Sequence, residues 1–138
     1  MSLPDLIESC CPLGAELVRA TNIVYQTENF FVVPSLGQLG IEGYVLLCSK
    51  EHYAGVGSIP EDHESELERS LTLLRAIITD VYHSPVLIFE HGPRNGCAKG
   101  GGCFDHAHLH LLPTDADIVP FLTKIFPIEK MTGIEQLR

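Results

Sequence analysis

The stretch HAHLHLL, residues 106–112, constrains the fold more than any other part of the sequence. Histidine and apolar residues alternate in it, and successive side chains of a β-strand point to opposite faces of a sheet. The alternation therefore predicts a strand with three histidines on one face, His106, His108 and His110. The opposite face should meet the core through Ala107, Leu109 and Leu111. A slip of one residue would bury three imidazoles, so we expect the histidines at a surface or in a cleft.

The spacing of the three histidines bears on whether they share a metal ion. Three alternate strand positions span about 13 Å, which is too far for one ion to contact all three. A His-x-His pair can still bind zinc or iron, with Glu90, His91 or Asp105 completing the ligand set. A polar strand face without function is the remaining interpretation of this pattern.

A glycine-rich loop, HGPRNGCAKGGGC at residues 91–103, precedes the histidine strand. Glycines let the backbone approach a ligand closely, and clustered backbone amides bind anions. Arg94 and Lys99 add positive charge in the same loop. The loop therefore predicts a phosphate pocket beside the histidines, although glycine content alone is also typical of a plain flexible loop.

The rest of the chain predicts strands and one long helix. Apolar runs indicate strands at 21–27, 29–34, 44–50 and 86–90. The helix begins near Ser58, where Ser58 and Glu61 form a capping box, and it ends at Ser84-Pro85. Apolar residues recur on its core-facing stripe at every third or fourth position: Leu67, Leu71, Leu74, Ile78 and Val81.

This order of elements indicates an α+β fold, an antiparallel sheet of about five strands with helices packed on it. Residues 1–138 are expected to form a single domain. A brief helical segment should follow the histidine strand, and a last helix should start near residue 128 and be cut short at residue 138.

Composition limits the kinds of partner and compartment. The net charge of −9 disfavours binding to nucleic acid. The longest apolar runs are far shorter than the roughly 20 residues of a membrane-spanning helix. The start of the chain lacks a signal-peptide pattern. We therefore expect a cytoplasmic protein with reduced thiols at its five cysteines, Cys10, Cys11, Cys48, Cys97 and Cys103.

The sequence resembles the histidine triad (HIT) family. HAHLHLL matches the family pattern His-φ-His-φ-His-φ-φ, where φ is apolar, and EGYVLLCSKEHY at residues 42–53 is similar to an upstream family strand followed by a basic residue and a histidine. The resemblance implies a HIT-like fold and a nucleotide hydrolase or nucleotidyl transferase. His108 matches the nucleophile that attacks the α-phosphorus and forms a nucleotidyl-histidine, while His106 and His110 match the flanking positions that steady it and contact phosphate.

The resemblance also implies the residues that bind phosphate and nucleotide. Lys50 and His52 follow the upstream strand, and Gly101, Gly102 and Cys103 stand where the family often has Gly-Gln-Ser or Gly-Gln-Thr. For the family's asparagine, counting back from the triad selects Asn95, whereas aligning the strand ends selects Glu90.

No cofactor and no metal are implied at the site. Some members of the family hold structural zinc through an N-terminal Cys-x-x-Cys, which here reads Cys11 to Gly14 and lacks the second cysteine. The resemblance further implies a small-molecule nucleotide substrate and a homodimer, while the short apolar runs predict no membrane partner. Two alternatives stay open, a nucleotide-binding module with little catalysis and a metal-binding His-x-His protein.

Overall fold

The computed structural model describes residues 22–35, 41–90, 106–125, 127–128, 132–133 and 136. The predictions for the glycine-rich loop, for the cysteines other than Cys48 and for the last helix lie outside these residues. So do four of the predicted binding residues, Asn95, Gly101, Gly102 and Cys103.

Five strands form one antiparallel sheet. They are β1 (Tyr25–Gln26), β2 (Phe30–Pro34), β3 (Val45–Ser49), β4 (Val86–Phe89) and β5 (His108–Pro113). Their order across the sheet is β1-β2-β3-β5-β4, so the histidine strand lies between β3 and β4. With a long helix packed on this sheet, the predicted α+β architecture is confirmed.

The long helix, α1, runs from Glu64 to Tyr82. It starts later than predicted, and the capping box is wrong. Ser58 ends a separate 3₁₀ turn, and Pro60 is extended (φ −57°, ψ 145°), so it separates Ser58 from the helix. A second 3₁₀ turn at Glu61–His63 leads into α1, whose first turn has no side-chain cap.

The apolar stripe of α1 covers one face of the sheet over most of its length. Leu67, Leu74 and Ile78 are buried, and Leu71 packs against them in part. The prediction was wrong for Val81, which lies in the last turn and is 60% exposed. A second short helix, α2 (Val119–Leu122), follows β5 as expected. None of the helices in the described segments has the length and apolar character needed to cross a bilayer.

Both faces of the sheet are covered by apolar side chains. On the α1 side, Ala107, Leu109 and Leu111 join the main cluster, which confirms their predicted place in the core. The opposite face carries a second cluster: Phe31, Val33, Tyr44, Leu46, Cys48 and Leu112. In the β3–β5 register Cys48 pairs with His108 and Leu46 with His110. Directly paired residues share a face, so these two histidines lie on the side away from α1.

Candidate active site

His108 is buried at the start of β5, where it is 5% exposed. Its Nδ1 lies 2.6 Å from the carbonyl oxygen of His106. A carbonyl only accepts hydrogen bonds, so Nδ1 of His108 must carry a proton and donate it. In the neutral ring the lone pair is then on Nε2. The backbone therefore fixes which ring nitrogen of His108 carries the lone pair.

His110 lies next along the same strand face and touches His108 directly. The two Nε2 atoms are 3.1 Å apart. The ring of His110 stacks on Phe89 with a centroid distance of 4.5 Å and an interplanar angle of 4°. Its Nδ1 lies 2.6 Å from the hydroxyl of Tyr44. Both ring nitrogens are thus engaged, and the ring plane is held by an aromatic partner.

His106 is placed differently from the other two histidines. It precedes β5, and its Nε2–H donates to the carbonyl of Ser49 at 2.7 Å. The ring meets that of His52 edge-on at 5.3 Å. His106 supports His108 through its backbone carbonyl, while its own ring is anchored on the end of β3.

The expectation that the histidines lie at a surface or cleft was wrong for two of them. His106 is 7% exposed and His108 is 5% exposed, whereas His110 is partly buried. The alternating pattern predicts a solvated face opposite the core, but the second face of the sheet carries its own apolar cluster. Imidazoles on that face are buried among hydrogen-bond partners instead of being solvated.

Lys50 and His52, predicted to bind nucleotide, follow β3 directly. The ammonium group of Lys50 donates to the carbonyl of Thr27, in the turn between β1 and β2. His52 is exposed and its ring neighbours His106. His52 therefore adjoins the histidine cluster, while the head group of Lys50 is held by the β1–β2 turn. Binding of nucleotide by these two residues stays a prediction.

Of the two candidates for the asparagine position, Glu90 is the one that the structure describes. Its Oε1 accepts a hydrogen bond from the backbone amide of Val56 at 2.7 Å. A Cβ added to Gly55 would lie 3.1 Å from the same oxygen, so this glycine lets the carboxylate approach the turn. Glu90 therefore ties the end of β4 to the Val56–Ser58 turn.

The neighbours of the histidine pair are held in their neutral forms. Burial raises the pKa of the Cys48 thiol to about 12. Burial also raises the pKa of Tyr44, against the opposing effect of a hydrogen bond from Ser35. Near pH 7 both groups are therefore protonated, and Tyr44 is a hydrogen-bond donor.

Within the described segments, no group of three or more His, Cys, Asp or Glu residues is arranged to hold a metal ion. The contact between His108 and His110 has the length of a hydrogen bond, 3.1 Å. His91 and Asp105, which the metal-binding alternative invokes, lie outside the described segments.

Sequence reasoning missed Tyr44, Phe89 and Ser49, which hold the imidazoles in place. Tyr44, directly before β3, and Phe89, in β4, contact His110, and Ser49 anchors His106. Tyr44 begins an apolar run and Phe89 ends one, so both are indistinguishable from ordinary core residues. Only the pairing of β3 and β4 with β5 shows that these two aromatic residues contact the histidines. That pairing cannot be predicted from the local sequence.

The sheet order and the position of the histidine strand between β3 and β4 together define the histidine triad fold. A HIT family protein from Bacillus anthracis has a TM-score of 0.60 at 16% identity, with 94% of this chain and 80% of that chain covered. A HIT family hydrolase from Clostridium thermocellum has a TM-score of 0.55 at 21% identity, with 86% of this chain and 95% of that chain covered. A hypothetical histidine triad nucleotide-binding protein from Sulfolobus tokodaii has a TM-score of 0.56 at 22% identity, with 84% of this chain and 76% of that chain covered.

No family model matches the sequence, and no curated protein matches it either. The similarity to the solved structures confirms the predicted HIT-like fold.

Proposed function

We propose that this chain is a histidine triad enzyme that cleaves a phosphoanhydride or phosphoramidate bond at the α-phosphorus of a nucleotide. The observation that carries the proposal is the hydrogen bond from Nδ1 of His108 to the carbonyl of His106. It leaves the lone pair of His108 on Nε2, as nucleophilic attack requires. The descriptions of two structural neighbours, a hydrolase and a nucleotide-binding protein, support the same reaction class.

The proposed reaction has two displacements at phosphorus. In the first, Nε2 of His108 forms a bond to the α-phosphorus, and the bond to the leaving group breaks with its electron pair. In the second, water attacks the same phosphorus, the P–N bond breaks and the nucleoside monophosphate departs. Splitting one displacement into two easier steps is the gain that covalent catalysis provides.

The partners of His108 have separate roles in this proposal. His110 offers an N–H at the point where a phosphate oxygen would meet Nε2 of His108, and such a donor stabilises negative charge as it develops. The carbonyl of His106 makes the imidazolium of the intermediate more favourable by accepting its Nδ1–H. Backbone amides of the loop at 91–103 and the side chain of His52 would hold the remaining phosphate oxygens.

The remaining elements of the proposal come from the family resemblance. The protein would act without a cofactor on a small nucleotide derivative and as a homodimer, while the proposed cytoplasmic location comes from the composition of the sequence.

The proposal is tested by His108→Asn on a panel of nucleoside phosphoramidates, dinucleoside polyphosphates and nucleotide sugars. We expect release of nucleoside monophosphate by the native chain and a loss of at least about 10³-fold in kcat for the variant. His83→Asn is the matched control. His83 ends α1, on the other side of the sheet, in a left-handed conformation (φ 51°) that asparagine tolerates. Turnover by His108→Asn equal to that of the control would refute the assignment.

A nucleotide-binding module with little catalysis is the second candidate. The observation that favours it is the sequence Gly101-Gly102-Cys103, which lacks the glutamine and hydroxyl donors usual in the family. Cysteine is a weak hydrogen-bond donor, so the charge that develops during cleavage would be less well stabilised. Calorimetric binding of a nucleoside monophosphate by a chain that turns over none of the panel would favour this candidate.

A further inference from the structure

We propose that Tyr44 is a positioning residue, whose hydroxyl sets the tautomer of His110 so that its Nε2–H is directed at Nε2 of His108. The kinetic consequence of this proposal depends on the proposed function. The tautomer itself can be measured without substrate, so the two can fail separately.

His108 carries a proton on Nδ1. Its Nδ1 is 2.6 Å from a carbonyl oxygen, which has no proton to give. That bond forms only if Nδ1 carries the hydrogen, and the neutral ring then has a lone pair at Nε2. The Nε2 atoms of His108 and His110 are 3.1 Å apart. A hydrogen bond at this distance requires that one of the two nitrogens carries a proton and the other accepts it.

The proton between the two Nε2 atoms can be carried by His108 or by His110. If it stays on His108, that ring is an imidazolium and cannot act as a nucleophile. If it is on Nε2 of His110, both rings are neutral, provided that Nδ1 of His110 has no proton. Nδ1 of His110 lies 2.6 Å from the hydroxyl of Tyr44. A phenol that donates to this nitrogen keeps it in the acceptor form.

The surroundings of Tyr44 favour its donor role. The side chain is 6% exposed and sits in the apolar cluster on the same face as His110. Burial raises the pKa of Tyr44, so the hydroxyl keeps its proton near pH 7. The retained proton can then be donated to Nδ1 of His110, 2.6 Å away.

The orientation of the His110 ring is fixed independently. Its stacking on Phe89, at 4.5 Å and 4°, holds the ring plane. Within that plane the two nitrogens point to Tyr44 and to His108. A flip of the ring would replace both nitrogens by carbons at these contacts and would lose both hydrogen bonds. The ring therefore connects Tyr44 to the nucleophile in one orientation.

Loss of the Tyr44 hydroxyl removes the preference between the two tautomers. In the Nδ1–H form of His110, two lone pairs would face each other across 3.1 Å unless His108 took up a proton. The first outcome removes the N–H of His110 that would stabilise charge on the phosphate, and the second leaves His108 without a lone pair for attack. The effect acts on the reactive state and leaves the nucleotide contacts in place, so it is expected in kcat more than in KM.

The direct test is the protonation of each histidine nitrogen, read by long-range ¹H–¹⁵N correlation NMR on the uniformly labelled chain. In the native protein we expect Nδ1 of His110 to give the signal of an unprotonated nitrogen and Nε2 that of a protonated one. In Tyr44→Phe the His110 signals should move towards the opposite tautomer or an average of the two. Tyr53→Phe is the control, because its hydroxyl donates to Glu51 and not to the triad.

Two results of the NMR test would overturn the inference. One is a proton on Nδ1 of His110 in the native protein, a measurement that needs no variant to fold. The other is an unchanged His110 tautomer in Tyr44→Phe.

The kinetic consequence is tested on the substrate that the native chain turns over best. We expect Tyr44→Phe to lower kcat about 10-fold, comparable to the loss of a group that orients a ligating histidine, with KM within about two-fold. Tyr53→Phe should match the native chain. An unchanged kcat in Tyr44→Phe would contradict the inference, whereas turnover that survives His108→Asn would refute the proposed function alone.

Discussion

At the scale of single residues, what characterises the pair of His108 and His110 is which ring nitrogens carry a proton, more than where the rings lie. The carbonyl of His106 and the hydroxyl of Tyr44 hold one nitrogen of each ring, so the tautomers of His108 and His110 follow from their neighbours. The opposing residue on β3, Cys48, is buried and offers a neutral thiol. Under the proposed function, an imidazole nitrogen is therefore the reactive atom of this cluster.

The thiol of Cys48 should be unreactive in the folded protein. Its pKa of about 12 leaves roughly one molecule in ten thousand as thiolate at pH 8, and thiolate is the form that alkylates. We expect native Cys48 to remain unmodified by iodoacetamide at pH 8 under conditions that modify it fully in denaturant. Peptide mapping by mass spectrometry reads the site. Equal rates of modification in the native and denatured protein would show that the thiol is neither buried nor neutral.

The sequence predicts much of the site at this scale. Alternation in residues 106–112 predicted the core-facing residues correctly, because the period of a strand is a local property. The burial of His106 and His108 depends on what covers the second face, and that comes from distant segments. For the same reason Tyr44 could not be recognised as a partner of His110.

At the scale of elements, the turn between β1 and β2 is tied to the first turn of α1. The carboxylate of Glu66 accepts hydrogen bonds from the backbone amide and the side chain of Asn29, at 2.8 and 2.7 Å. Burial acts to raise the pKa of Glu66, but these hydrogen bonds, with one from Thr27, outweigh it and the pKa is lowered. The contact joins elements that are 37 residues apart in sequence.

Glu66→Gln should destabilise the fold by about 1 kcal/mol at pH 7, because the amide keeps only one acceptor for the two donors of Asn29. A lowered folded pKa means that the stabilisation is complete above the unfolded value of 4.5 and is lost as the pH falls through the folded pKa. The difference between variant and native chain should therefore shrink from pH 7 to pH 3, measured by urea unfolding.

Glu68→Gln is the control for this contact, since Glu68 is exposed on the same helix. A difference at Glu66 that grows on acidification would contradict the sign of the pKa shift.

The boundaries of elements were predicted less well than their existence. A long helix and the strands around it followed from apolar periodicity, but the helix starts at Glu64 and not near Ser58. The Ser58–Glu61 pattern is a valid capping signal, yet Pro60 in its extended conformation prevents it from forming here. Two 3₁₀ turns take up the intervening residues, and short turns of this kind leave little periodic signal.

At the scale of the whole molecule, the main apolar cluster and the histidine pair that is proposed to react lie on opposite faces of the sheet. One face packs against α1 and holds the main apolar cluster, while His108 and His110 lie on the other. Substitutions under α1 should therefore lower the free energy of unfolding without moving the histidine pair.

Leu74→Ala tests this separation, because Leu74 is buried under α1 and 7% exposed. We expect a loss of roughly 3 kcal/mol in the free energy of unfolding, typical of a leucine truncated in a core. At a temperature where the variant is still folded, kcat should stay within about two-fold of the native value. Leu73→Ala, at an adjacent and 42% exposed position, should cost less than about 0.5 kcal/mol.

A fall in kcat of Leu74→Ala as large as that of His108→Asn would show that the two faces are not independent.

The order of the strands is the part of the fold that local sequence does not contain. Composition and periodicity predicted an antiparallel sheet of about five strands, and the family resemblance predicted its type. The adjacency of β3 and β5 is a contact between segments about 60 residues apart, set by which pairing buries both apolar clusters at once. That adjacency brings Tyr44 to His110.

The most direct test of the central claim is to trap the covalent intermediate. The chain is mixed with a nucleotide substrate labelled at the α-phosphate, denatured under alkaline conditions that preserve a P–N bond, and mapped by mass spectrometry. We expect a nucleotidyl group on His108, present in His83→Asn and absent from His108→Asn. A label on any other residue, or hydrolysis by the native chain with no labelled intermediate under single-turnover conditions, would contradict it.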